Sequence, residues 1–170
     1  MGNAEAGAEV ATLLACLGSQ RRHVLEALEG LDEEALRRAV LPSGWNCLGL
    51  VRHLALDVEQ FWFRGALAGE PEVIEWALTE HEEPWDVGPG VPAADVLALY
   101  RRQIELADTV ITACAPDAAP TWWPTEIFGD WRLDTAREVV LHVITETACH
   151  AGHLDAAREL IDGHQRLVLT

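Results

Sequence analysis

His142, Glu146, His150 and His153 recur late in the chain at intervals of four, four and three residues. On a helix turning about 100° per residue, with His142 at zero, Glu146 falls near about 40°, His150 near about 80° and His153 near about 20°. Val139, Val143, Leu154 and Ile161 share that sector, while Arg137, Thr145, Asp155 and Glu159 take the other side. Four titratable groups are therefore expected to point inward among core residues. A carboxylate in an apolar interior is costly unless it is paired or binds a metal. Glu146 and His150 lie one turn apart, so their side chains can converge on one ion.

An earlier apolar helix supplies a third candidate ligand. His53 sits at the edge of its apolar face, and Asp57 lies one turn further along that edge. Two imidazoles and one carboxylate are a common ligand set for catalytic zinc, with one coordination position left open. Iron, nickel and manganese accept the same donors. A metal-free ion pair is the competing reading of Glu146 and His150. For Asp57, His142 and His153 the choice lies between orienting a ligand or moving a proton and an ordinary hydrogen bond or salt bridge. His23, His81 and His164 read as surface or loop residues.

These groups need long helices to hold them, and the spacing predicts four. The first runs over about 4–29, with Val10, Leu13, Leu14, Leu17, Val24, Leu25 and Leu28 as its stripe and Gly30 as its stop. A short helix capped by Asp32 follows. The second long helix spans about 45–67, with Ser43 as a candidate cap and an apolar face of Cys47, Leu50, Leu54, Val58 and Phe61. Residues 69–91 read as a connection long enough to cross a bundle end to end, which permits the next helix to run parallel to the second. The third covers about 92–114, with Val96, Leu97, Tyr100, Ile104, Ala107 and Ile111 inward. A second loop, 115–133, precedes the fourth helix, which Thr135 and Glu138 open as a capping box and Gly163 ends. With no strand-like alternation, the expected fold is all-α: a single four-helix bundle domain over 1–170.

Composition narrows the function classes. Twelve basic residues against 28 acidic ones give a formal charge of −16. Such a surface repels phosphate backbones and anionic lipid, so nucleic acid and membrane surfaces are not expected partners. No apolar run approaches membrane-spanning length, and no signal peptide or myristoylation motif is visible, which points to a cytoplasmic protein. Cys16, Cys47, Cys114 and Cys149 form no CxxC pair and read as buried free thiols.

Three stretches of this sequence resemble the DinB-like superfamily of four-helix metalloproteins. They are Gly30-Leu-Asp-Glu-Glu34, Pro42-Ser-Gly-Trp45 with Leu48-Gly-Leu-Val-Arg-His53-Leu54, and His142-Val-Ile-Thr-Glu146-Thr-Ala-Cys-His150-Ala-Gly-His153. The branch they resemble includes mycothiol-dependent maleylpyruvate isomerase and the mycothiol transferases. The resemblance covers most of the chain and is weak in the two long loops. It implies an up-down-down-up bundle with a long crossover between the second and third long helices. It also implies a metal held by His53, Glu146 and His150. The isomerase carries a further C-terminal domain, so its own reaction is not carried over.

The function expected on these grounds is metal-dependent transfer of a low-molecular-weight, mycothiol-like thiol to a small electrophile. The divalent metal is zinc foremost, with nickel, iron or manganese as alternatives. A metal-dependent hydrolase and a non-catalytic stress-response or binding protein are the rivals, and a homodimer is kept open. Trp62, Trp76, Trp85, Trp122, Trp123 and Trp131 crowd the end of the second helix and the loops. There they either line an apolar pocket or pack the loops onto the bundle.

Overall fold

The computed structural model describes residues 2–79 and 84–166 and shows helices without strands among them. Helix α1 (Gly2–Leu28) leads through a turn to α2 (Glu33–Arg37). Asp32 caps α2 by accepting the Ala35 N–H at 2.8 Å. Helix α3 (Cys47–His53) runs on without a break into a π-wound segment (Leu54–Leu67). Its cap is Asn46, whose side chain accepts the Gly49 N–H at 2.8 Å, and not Ser43 as the sequence suggested. Asn46 wins because it directly precedes the first helical residue, where a side-chain oxygen reaches the N3 amide.

The connection after residue 67 is shorter than it looked, because α4 (Pro71–Leu78) forms inside it. Pro71 stands in the first helical position, where its missing N–H costs nothing. Two arginines tie down residues 86–91 of the crossover. Arg37 donates to the carbonyls of Val87 and Val91, and Arg52 donates to that of Asp86. Glu33 on α2 accepts the Ala93 N–H at 3.0 Å and so opens α5 (Ala93–Ala113). A short α6 (Thr125–Phe128) interrupts the second loop. Helix α7 (Ala136–Asp162) then begins with the expected Thr135–Glu138 capping box and ends at Gly163, whose φ of 78° a residue with a Cβ rarely adopts.

Side-chain pairs fix the topology. Glu9 pairs with Arg137 and His23 with Asp155, so α1 and α7 run parallel. Val10 and Ala136, near the starts of those helices, line one small cavity with Leu67 and Ile111, from the ends of the π-wound segment and α5. The order is up-down-down-up, as the resemblance implied. Leu17, Val24, Leu50, Leu54, Phe63, Tyr100, Val139, Val143 and Leu154 fill the centre. One ion pair is also fully enclosed there: Arg21 bonds both Glu59 oxygens, at 2.7 and 2.6 Å.

The π winding changes which residues share a face. Nine residues span about two and a half α-turns, which would put Trp62 on the side of the helix opposite His53. With i→i+5 bonding the same nine residues make roughly two turns, and Trp62 returns to the His53 side. His53, Asp57, Val58 and Trp62 do line one hollow.

Candidate metal centre

His53 closes the α-wound part of its helix, and Asp57 lies in the first turn of the π-wound part. The His53 Nδ1–H donates to Asp57 Oδ2 at 2.7 Å, which leaves Nε2 to face outward from that pair. A carboxylate behind an imidazole in this way fixes ring orientation and tautomer. From α7, Glu146 and His150 approach the same point, with His150 Nε2 3.5 Å from Glu146 Oε1. One ligand atom from each of His53, Glu146 and His150 can be chosen so that all three lie within 4.8 Å of one another. Three donors converging from two helices fit the size and chemistry of a divalent cation.

The cluster sits in a cleft at the bundle's side. Glu146 was expected in the core, yet its side chain is 39% exposed, and His153 is exposed outright. A helical wheel gives the direction of a side chain and not its depth; at this level α7 faces the cleft rim. His150 and His53 are the more enclosed members. Burial, followed by the neighbouring His53, holds the His150 imidazole below its ordinary value and so favours the neutral, ligating form.

The remaining candidates take different places. Asp57 supports His53. His142 Nε2 stands 4.0 Å from the second Glu146 oxygen, and burial holds its imidazole below the usual range. His153 is apart from the cluster, its Nδ1 3.4 Å from that of His150. His23 is paired with Asp155 at 2.8 Å and partly buried, while His164 is exposed. His81 lies outside the described residues. All four thiols are free, but Cys16 and Cys149 are exposed, contrary to the expectation of burial. Burial pushes the Cys47 thiol up to about 11.

Aromatic rings border the cluster on two sides. Trp85, from the crossover, stacks on His53 with centroids 4.4 Å apart. With Ser43, Gly44, Trp45, Asn46 and Asp86 it lines an open hollow of about 540 Å³, part polar and part aromatic. On the other side Trp62, Phe128, Trp131 and His142 join His53 and Glu146 around a hollow of about 320 Å³. Trp122 and Trp123 serve the loop instead. The Trp122 N–H bonds Ala66 O at 3.1 Å, and Trp123 Nε1 donates to Trp131 O at 3.0 Å. Trp85 was among the loop tryptophans expected either to line a pocket or to pack the loops, while Phe128, which also reaches the site from a connection, was not singled out.

Gly49 lets the Trp85 segment approach. A Cβ there would fall inside contact distance of the Trp85 carbonyl oxygen. Alanine usually favours a helix over glycine by about 1 kcal/mol, but the overlap costs about 1–3 kcal/mol and decides the sign. Gly49→Ala should therefore displace Trp85 from His53. Tryptophan emission and a urea titration check this; unchanged emission with raised stability would refute it.

An up-down-down-up helical bundle with a His–Glu–His cluster facing a cleft defines the class, a helical protein with a candidate metal centre. The chain belongs to the mycothiol-S-transferase family, whose pattern it matches over residues 12–163. No curated protein and no solved structure matches the chain.

Proposed function

We propose that the protein is a metal-dependent S-transferase that joins a low-molecular-weight thiol of the mycothiol type to a small electrophile. The observation that carries this reading is the convergence of His53, Glu146 and His150 beside an open cleft, in a chain of the mycothiol-S-transferase family. Zinc is the ion the donors suit first, and nickel, iron or manganese would take the same set. His53, Glu146 and His150 would hold the cation, which would favour the thiolate form of a thiol near neutral pH.

The chain's own residues do the rest. Asp57 holds the His53 ring so that Nε2 faces the cluster. Glu146 offsets positive charge, and His142 Nε2, beside it, accepts the thiol proton and passes it to solvent. The open hollow of Trp45, Asn46, Trp85 and Asp86 receives the body of the thiol. Sulfur then forms the new bond to carbon, and the leaving group departs with its bonding electron pair.

Cobalt-substituted protein tests the reading. Adding a small thiol should produce a sulfur-to-metal charge-transfer band, because soft sulfur competes well with water for such ions. Cys149 is exposed and outside the cluster, so Cys149→Ser should keep the band. A band present without added thiol and lost in Cys149→Ser would refute thiol transfer, as would the absence of any band.

A further inference from the structure

We infer that the electrophile is a flat aromatic molecule without negative charge, bound against Trp62, Phe128 and Trp131. The binding follows from the cleft; the reaction rests on the S-transfer reading above. Two hollows lie side by side and share Asp57, Trp62 and Phe128. The one of about 320 Å³ also touches His53 and Glu146, and the other, of about 200 Å³, runs on under Trp76 and Ile127. An apolar cavity of roughly 150 Å³ already takes up benzene, so either space holds a substituted ring.

The shape of the lining favours a flat ligand. Trp62 and Phe128 lie nearly parallel, with 11° between planes and centroids 5.4 Å apart, and Trp131 stands edge-on to Phe128 at 5.3 Å. Trp62 and Phe128 are stacked on each other, so a bound ring adds to the outside of this aromatic array by face or edge and does not enter between them. Trp131 and Ile127 are each nearly half exposed, a solvated apolar rim that a bound ring would cover.

Charge selects within that class. Asp57 lines both hollows and Glu146 lines the one beside the cluster, while no arginine lines either among the described residues. In the metal-free chain a carboxylate on the ligand would sit near two carboxylates with no arginine to meet it, and with a cation held at Glu146 it would still face Asp57, which lines both hollows. An uncharged ring activated for substitution, such as a chlorodinitrobenzene, meets no such penalty. Its carbon bonds to the thiol sulfur, chloride leaves with the bonding pair, and the thiol proton goes to solvent.

Calorimetry on the full chain, both metal-free and zinc-loaded, tests binding without turnover. The probes are 2,4-dinitroaniline, which has no leaving group of use, and anionic 2,4-dinitrobenzoate. We expect the aniline to bind once per chain in both forms and the benzoate to bind at least roughly tenfold more weakly in the metal-free chain. Trp131→Ala should weaken aniline binding roughly tenfold. That variant removes a half-exposed side chain and keeps the backbone carbonyl that Trp123 uses. Trp62→Ala should do the same if it folds. Failure of the aniline to bind, equal binding of both probes to the metal-free chain, or unchanged aniline binding in Trp131→Ala would overturn the inference. No thiol enters, so a chain that binds the aniline yet gives no thiol band loses only the S-transfer reading.

Discussion

His150→Ala protein should carry almost no divalent ion, where the parent carries close to one per chain, and its helical circular dichroism should persist. His150 provides the α7 imidazole, and the other two donors cannot fill its place: His53 approaches from the opposite helix, and the next histidine, His153, meets His150 at Nδ1 and is not one of the three converging donors. Losing the outer partner of a ligand typically lowers metal affinity about 10–100-fold, which is the expectation for Asp57→Asn. Loss of a ligand itself should go further, and His53→Ala should match His150→Ala. The fold does not depend on the ion. Its core of Leu17, Leu50, Leu54, Phe63, Val139 and Leu154 lies away from the cleft, and a chain of this length buries enough surface to fold unaided. Elemental analysis after purification without an affinity metal column provides the measurement. Equal metal in parent and His150→Ala would remove the site from consideration. Global unfolding of both histidine variants would make the ion structural.

Much of the scaffold beneath this site was legible in the sequence, since it rests on local chemistry. Asp32, Thr135 with Glu138, and Gly163 mark helix ends by hydrogen bonds within a few residues, and each acts as read. The helix α4 also had its signal in Pro71, which the acidic and glycine-rich surroundings masked. His53, Glu146 and His150 were legible as candidates because turn-spaced donors on an apolar face are an uncommon pattern.

Other features depend on contacts between distant residues. A helical wheel assumes about 3.6 residues per turn, so it could not place Trp62 beside His53; nothing within 54–67 announces the wider winding. Depth escaped it too, hence the exposed rim at Glu146. Conversely, the one carboxylate that is enclosed among the described residues, Glu59, drew no notice, because its partner Arg21 lies on another helix 38 residues away. Trp85 belongs to the same class: its place over His53 is set by Arg37, Arg52 and the bare backbone of Gly49.

Glu59→Ala should be the most destabilising single substitution away from the apolar core, by about 3–5 kcal/mol. Glu59 is fully buried, and Arg21 is 3% exposed. Removing the carboxylate leaves a guanidinium in the interior with only Asp108, at 2.6 Å and half exposed, to balance it. The expected loss in melting temperature is roughly 6–20 °C for a chain of this size. Replacing both partners with apolar residues, Arg21→Met with Glu59→Leu, should restore much of the stability, since no unpaired charge then remains inside. The pair also bears on the site. Glu59 stands in the π-wound segment three residues before Trp62, and Arg21 anchors it to α1 across two hydrogen bonds. Freed of that anchor, the segment can rewind toward the tighter α form, which would swing Trp62 away from the His53 face. The double variant should therefore regain stability while binding 2,4-dinitroaniline more weakly than the parent. Urea titrations give the first quantity and calorimetry the second. A cost below about 1 kcal/mol for Glu59→Ala would show that the pair is not the buried charge clamp that its geometry describes.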